Sequence, residues 1–347
     1  MSLGPLMVDI EGTELTPADR DFLLHPAVGG VILFSRNYAS PDQLTALTEA
    51  IHRLRTPALL VAVDQEGGRI QRFREGFTEL PAARWLGRRY DVDADTGRRL
   101  ARHSGWLLAA ELGAVGVDFS FAPVLDLDWG LSEVIGDRAF HATPEAAGEL
   151  AAAFMYGMQD AGMAAVAKHY PGHGAVVPDS HQELPVDRRP YGEIMEDLKP
   201  FERLVRAGVP GVMTAHVVYS EVDARPATFS RWWIGEELRG RLGYNGAVFS
   251  DDLSMKATES VGSMSRRARA ALDAGCDMVL VCNDRARAEA TAEGLGDHRN
   301  PPSLVRLARF HGRRRTGRQR LLGGERWQAL HAELAEAMDR PVLELDA

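Results

Sequence analysis

The densest group of chemically active side chains lies in one short stretch. Lys168-His-Tyr-Pro-Gly-His-Gly174 is followed at once by Asp179-Ser-His181. Pro171, Gly172 and Gly174 bar regular structure, so the segment is expected to be a long, adaptable loop. Asp179 and His181 are two residues apart. At that spacing a carboxylate can hold one imidazole nitrogen and aim the other, the orienting role of a catalytic dyad. A second site of interest is the apolar run Gly246-Ala-Val-Phe-Ser-Asp251, which ends on a carboxylate. Such a group can attack an anomeric carbon, and glycosidases pair it with an acid that protonates the leaving oxygen. The usual acid is a second carboxylic acid; here the candidate is His181. Taken singly, these residues could be ordinary rim ion pairs, such as Lys168 with Asp64 or Asp251. Taken together, so many ionisable groups in one mouth would be costly without a polar ligand. His169, His173 and His181 could instead ligate a metal. The end of the first strand reads Val8-Asp-Ile10, without the His-x-His of barrel metallohydrolases, so neither a metal nor another cofactor is expected.

These residues need a frame that brings strand ends together. Eight continuous apolar runs read as strands: Leu6–Ile10, Gly30–Phe34, Leu59–Asp64, Val117–Ala122, Ala164–Lys168, Gly211–Ala215, Ala247–Asp251 and Met278–Cys282. Continuous rather than alternating runs suit parallel strands buried on both faces. Between them, Thr16-Pro17, Ser40-Pro41 and Thr143-Pro144 each pair an N-cap residue with proline at the first helical position. Asp160-Ala-Gly162, Arg206-Ala-Gly208 and Asp273-Ala-Gly275 read as helix stops. Eight βα units in series predict a single (β/α)8 TIM barrel over about residues 4–300. A helical tail over about 301–347 follows, with Glu325–Met338 as its closing helix. An open doubly wound sheet would show a glycine-rich phosphate loop after its first strand, where this chain has Asp9-Ile-Glu-Gly12.

The chain has 347 residues, 45% hydrophobic and 26% charged, with a net charge of −9. That excludes a disordered chain and argues against a nucleic-acid partner, which would need a basic surface. Cys276 and Cys282 are expected as buried thiols, and the basic tract Arg313–Arg320 as solvated surface. No basic, apolar leader opens the chain and no apolar run approaches a membrane span, so a cytoplasmic monomer with no membrane partner is expected.

In a barrel, chemistry sits at the C-terminal strand ends. Those positions hold Val63-Asp-Gln-Glu-Gly-Gly-Arg-Ile-Gln-Arg72, Phe119-Ser-Phe-Ala-Pro-Val-Leu-Asp126, Ile135-Gly-Asp-Arg138, the Lys168–His181 segment, and Phe249-Ser-Asp-Asp-Leu-Ser-Met255. With these motifs the chain resembles the glycoside hydrolase family 3 β-N-acetylglucosaminidases (β-hexosaminidases) of the NagZ type, which serve peptidoglycan recycling. The likeness runs from about residue 4 to about residue 285. It implies a retaining exo-hydrolase releasing terminal β-linked N-acetylglucosamine from muropeptides. It further implies Asp251 as nucleophile and His181 as acid/base oriented by Asp179. The sugar would be gripped by Asp64, Arg72, Arg138, Lys168 and His169. Glu66, Glu183, Asp252 and Asp126 remain rival carboxylates, and His216 and Asn283 could line the mouth. Phosphorolysis by the same residues, a sugar-binding barrel without turnover and a metal-dependent hydrolase are the competing functions.

Overall fold

The structure is a computed structural model and describes residues 2–177, 179–180, 183–312 and 316–340. Eight parallel strands close into a barrel: β1 (Leu6–Val8), β2 (Val28–Leu33), β3 (Leu60–Val63), β4 (Phe119–Ser120), β5 (Ala164–Tyr170), β6 (Gly211–Thr214), β7 (Ala247–Asp252) and β8 (Met278–Val281). Each pairs with its sequence neighbours, and β8 closes on β1. This is the expected (β/α)8 architecture. All eight strands differ by one or more residues from the sequence reading, and two of these differences bear on the site. β4 keeps two residues of the expected six, because Pro123 has no N–H to offer the ladder beyond it. β5 runs on to Tyr170, which carries His169 into the strand.

Continuous apolar runs became strands buried on both faces, as in β2, whose six residues are all buried. The barrel floor is aromatic. Phe310 lies with its ring centroid 4.9 Å from Phe119 and 5.1 Å from Phe249, and Phe119 lies 5.6 Å from Phe249. Phe310 comes from the tail, just after the helix Pro301–Leu307, and plugs the N-terminal end of the barrel. The plug fits because Gly211, at the start of β6, has no Cβ; one placed there would meet the Phe310 ring at 2.9 Å. The tail therefore completes the core. Its last helix, Glu325–Asp339, lies against the helix Ala94–Ala114, with Trp327 donating to Glu111 at 2.7 Å and Arg99 paired with Glu333 at 2.9 Å.

Thr16 and Ser40 accept from Asp19 and Gln43 backbone N–H groups as helix caps. Thr143 does not cap: its hydroxyl bonds His141 at 3.0 Å instead. The three expected stops all place glycine at positive φ, 89° at Gly162, 79° at Gly208 and 122° at Gly275. Both cysteines are buried and free. Arg313–Arg315 lie outside the described residues. Arg318, further along that tract, is half-buried rather than solvated, its guanidinium 5.6 Å from the Phe77 ring centroid. No helix among the described residues is long and apolar enough to cross a membrane.

Removing the plug should be costly because the floor cannot collapse around it. Phe310→Ala is expected to lower unfolding free energy by about 3–5 kcal/mol, read as a lower denaturant midpoint at unchanged m-value. A loss below about 1 kcal/mol would mean that the tail does not support the barrel.

Candidate active site

At the C-terminal end of the barrel a cavity of about 360 Å³ opens. It lies near the small end of the range for ligand pockets. Six of the sequence-selected residues line it together: Asp64, Arg72, Arg138, Lys168, His169 and Asp251. They come from the ends of β3, β5 and β7 and from the loop after β4, brought within one mouth by barrel closure. A larger hollow of about 540 Å³ lies at the opposite end, but Arg309 is the one charged side chain in its lining.

The mouth is built on a buried ion cluster. The Lys168 ammonium lies 2.7 Å from Asp64 and 2.6 Å from Glu66, and is itself buried. Arg138 donates to both oxygens of Glu66, Nε at 2.9 Å and Nη2 at 2.8 Å, in a planar fork. Arg72 approaches the second oxygen of Asp64 at 3.9 Å and lies over Phe34. Lys168 thus pairs with Asp64 and Glu66 rather than Asp251. Burial alone would raise the Glu66 pKa, but Arg138 first and Lys168 second hold it well below the ordinary carboxylate range. Burial likewise opposes the charge on Lys168, and Asp64 and Glu66 overcome it, raising its pKa. Glu66 is therefore a locked anion, and its standing as a rival acid is lost.

The other rivals are also committed. Asp126 takes His169 Nδ1 at 2.7 Å and the His173 backbone N–H at 2.7 Å. Burial would raise its pKa, and the two histidines, His169 foremost, bring it below the ordinary value. Asp252 accepts the Ser254 N–H at 2.9 Å, the Ser254 hydroxyl at 2.6 Å and the Cys282 N–H at 3.1 Å. It joins the end of β7 to that of β8. Burial pushes its pKa up to about 6 against those three donors. Glu183 is exposed to solvent. His216 is buried between Thr228 and the Asp252 carbonyl, at 2.9 and 3.0 Å, and does not line the mouth. Asn283 does line it; at φ 61° it adopts a conformation Asn tolerates, and its N–H donates to Asp9 at 3.1 Å.

Asp251 is the penultimate residue of β7, which runs one residue past the expected end to Asp252, and one Asp251 oxygen accepts the Asp252 N–H at 2.7 Å. In the loop after β5, the Glu183 N–H donates to the Asp179 carbonyl at 3.0 Å. Ser180 lines the cavity, which puts the Asp179-Ser180 pair at its edge. His181 lies outside the described residues. The C-terminal stem of the loop is held by Arg189, which is 2.7 Å from Asp187 and 2.9 Å from Asp197. Trp129 also donates to Asp197, at 2.9 Å. Among the described residues, no group of three or more His, Cys, Asp or Glu is arranged to hold a metal ion.

Sequence reasoning missed the supports. Thr258 and Arg267 brace the loop after β7: Arg267 Nη1 donates to the Leu253 carbonyl at 3.0 Å and to Thr258 at 2.9 Å. Neither sits at a strand end, so the barrel rule could not select them. Gln65, which follows Asp64, was visible but not chosen. Its side chain receives the Arg72 and Phe73 N–H groups at 2.8 and 3.1 Å and so folds the turn that presents Arg72.

A barrel rim with a carboxylate ending β7, opposite a fixed set of charged hydrogen-bonding groups, is the arrangement of a glycoside hydrolase. Comparison with known proteins makes the class specific. Residues 6–298 match the glycosyl hydrolase family 3 N-terminal domain. The β-hexosaminidase of Thioalkalivibrio sulfidiphilus is 58% identical over 346 residues, covering 100% of both chains. That of Alkalilimnicola ehrlichii is 60% identical over 314 residues, 90% of each chain. The crystal structure of NagZ from Neisseria gonorrhoeae in complex with N-trifluoroacetyl-D-glucosamine superposes with a TM-score of 0.92 at 44% identity, over 97% of this chain and 98% of that one. The chain belongs to glycoside hydrolase family 3, among its β-hexosaminidases.

The ion cluster generates a prediction with a defined sign. The folded-state pKa of Glu66 is depressed, so its contribution to stability is present above the ordinary glutamate value of 4.5 and is lost as pH falls below it. Glu66→Gln leaves Arg138 and Lys168 under-compensated and should destabilise by about 3–5 kcal/mol at neutral pH. The deficit should shrink in unfolding measurements taken toward about pH 3. A pH-independent deficit would show that the cluster does not act through the Glu66 charge.

Proposed function

We propose that this β-hexosaminidase is a retaining exo-β-N-acetylglucosaminidase. It would release the terminal non-reducing sugar of N-acetylglucosaminyl-anhydromuramyl peptides during peptidoglycan recycling. The observation that carries this reading is the convergence of Asp251 with Asp64, Arg72, Arg138, Lys168 and His169 on one cavity. The ligand of the N. gonorrhoeae relative, an N-acylated glucosamine, supports the choice of sugar. On this reading the enzyme works as a cytoplasmic monomer and as one domain. Its acid/base comes from the barrel's own loop.

The Asp251 carboxylate attacks the anomeric carbon, and the glycosidic C–O bond breaks. The leaving oxygen takes the proton of the His181 imidazolium. Water then attacks the same carbon, His181 recovers a proton from it, and the bond to Asp251 breaks to free the sugar with its configuration retained. Asp179 orients the imidazole, whose unperturbed pKa of ~6.5 suits a group that must give and take a proton near neutrality. Asp64 has an oxygen left for sugar hydroxyls beyond the one held by Lys168, and His169 presents Nε2 because Asp126 occupies Nδ1. The cations of the mouth are engaged with carboxylates, which favours water over phosphate as acceptor.

Asp251→Ala should lower kcat on an aryl N-acetyl-β-glucosaminide by at least ~10⁴-fold. A fluorinated slow substrate should label Asp251 in peptide mapping. Wild-type-like turnover in the variant, or a label on Asp252, would remove the assigned nucleophile. Product analysis on a defined muropeptide, with and without phosphate, should give free N-acetylglucosamine in both. Sugar 1-phosphate as the main product would replace hydrolysis by phosphorolysis.

A further inference from the structure

Ser180 lies between the two members of the proposed dyad and is itself buried. Its hydroxyl is 3.2 Å from His173 Nε2, and its carbonyl accepts the Ala257 N–H at 3.2 Å. These two contacts reach different parts of the site. His173 belongs to the stem of the same loop and is fixed by Asp126, the carboxylate that also sets His169. Ala257 belongs to the loop that follows Asp251, and that loop is braced by Thr258 and Arg267. Ser180 therefore joins its own loop to His173 and, through its carbonyl, to the loop that follows Asp251.

The state of His173 fits this use. Burial foremost, and then neighbouring His169, lower its pKa, so the ring is neutral. Its Nδ1 has no hydrogen-bond partner among the described residues. The imidazole and the serine hydroxyl share one hydrogen bond, at 3.2 Å.

We propose that Ser180 is a positioning residue that latches the dyad to His173 and to the Ala257 backbone, and so fixes the acid/base relative to Asp251. The inference rests on the assignment of His181 as acid/base. Loss of the latch should impair the proton transfers while leaving nucleophilic attack intact.

The test uses leaving groups of different need. Departure of 2,4-dinitrophenolate requires no proton, whereas departure of a sugar alcohol does. Ser180→Ala should lower kcat/KM on N,N′-diacetylchitobiose on the order of tenfold, the effect of one hydrogen bond. On the dinitrophenyl N-acetyl-β-glucosaminide kcat/KM should stay within about twofold. There, kcat and KM should fall together as the glycosyl-enzyme accumulates, and azide should restore kcat. His173→Phe should reproduce the pattern, and the double variant should be no worse than either single one, because both remove the same contact. Equal losses on both substrates, or no loss on either, would overturn the latch, and an unchanged thermal midpoint excludes simple unfolding. His181→Ala separates the two claims. If it shows no leaving-group dependence, the acid/base assignment fails; if it does and Ser180→Ala does not, only the latch fails.

Discussion

The architecture of the mouth turns on one buried interaction, the pairing of Lys168 with Asp64 and Glu66. An ammonium taken out of water is costly unless its partners hold it closely. Here two carboxylates do so, and Arg138 in turn satisfies both oxygens of Glu66. Each charge is fixed by the next, so the charged groups that line the mouth cannot swing away to seek solvent. The wall of the cavity is held by the same logic. Arg138 lies in the loop after β4, and its attachment to Glu66, just beyond β3, closes that loop over the mouth. Arg69 adds a second tie, donating to the Val134 carbonyl at 2.6 Å and to Asp137 at 3.0 Å.

A second anchor works beside the first. Asp126 is a buried carboxylate with no arginine or lysine partner among its contacts; it is satisfied by the His169 ring and by two backbone N–H groups. One consequence is a defined tautomer: with Nδ1 turned to Asp126, His169 has Nε2 left for the cavity. The other is that His173, in the stem of the loop after β5, and His169 share a single support. Binding geometry and loop geometry are in this sense not independent.

Much of this was legible in the sequence, for reasons that can be named. The strands were visible because parallel strands buried on both faces need unbroken apolar runs, and the rim residues because a barrel presents the residues that end those runs. Six of the eight chosen site residues line one cavity for that reason. What the sequence did not disclose is partnership at long range. Glu66 read as a rival acid because its spacing from Asp64 says nothing of Arg138, 72 residues away. Phe310 read as part of an appended tail, since no local pattern marks a ring that plugs a barrel floor. Thr143 carried every local sign of a cap, yet the neighbouring His141 took its hydroxyl.

The same commitments support the proposal that the acid/base is a loop histidine. A group that donates and then accepts a proton in each turnover must be able to exist in both states without dismantling its surroundings. No carboxylate fixed in the rim meets that condition. Protonating Glu66 would strand Arg138 and Lys168. Protonating Asp126 would release His169 and the loop stem. Asp252 has a pKa near that of a working acid, about 6, but both of its oxygens accept from Ser254 or Cys282, and donating a proton would break the joint between β7 and β8. Asp64 is held by Lys168, and losing its charge would unpair that ammonium. On the proposed reading the proton carrier comes from outside this network, from the loop after β5. In that loop Ser180 makes two hydrogen bonds, to His173 and to the Ala257 N–H. The proposed division of labour leaves the charged network to hold the sugar in register and gives the proton transfer to a residue outside it.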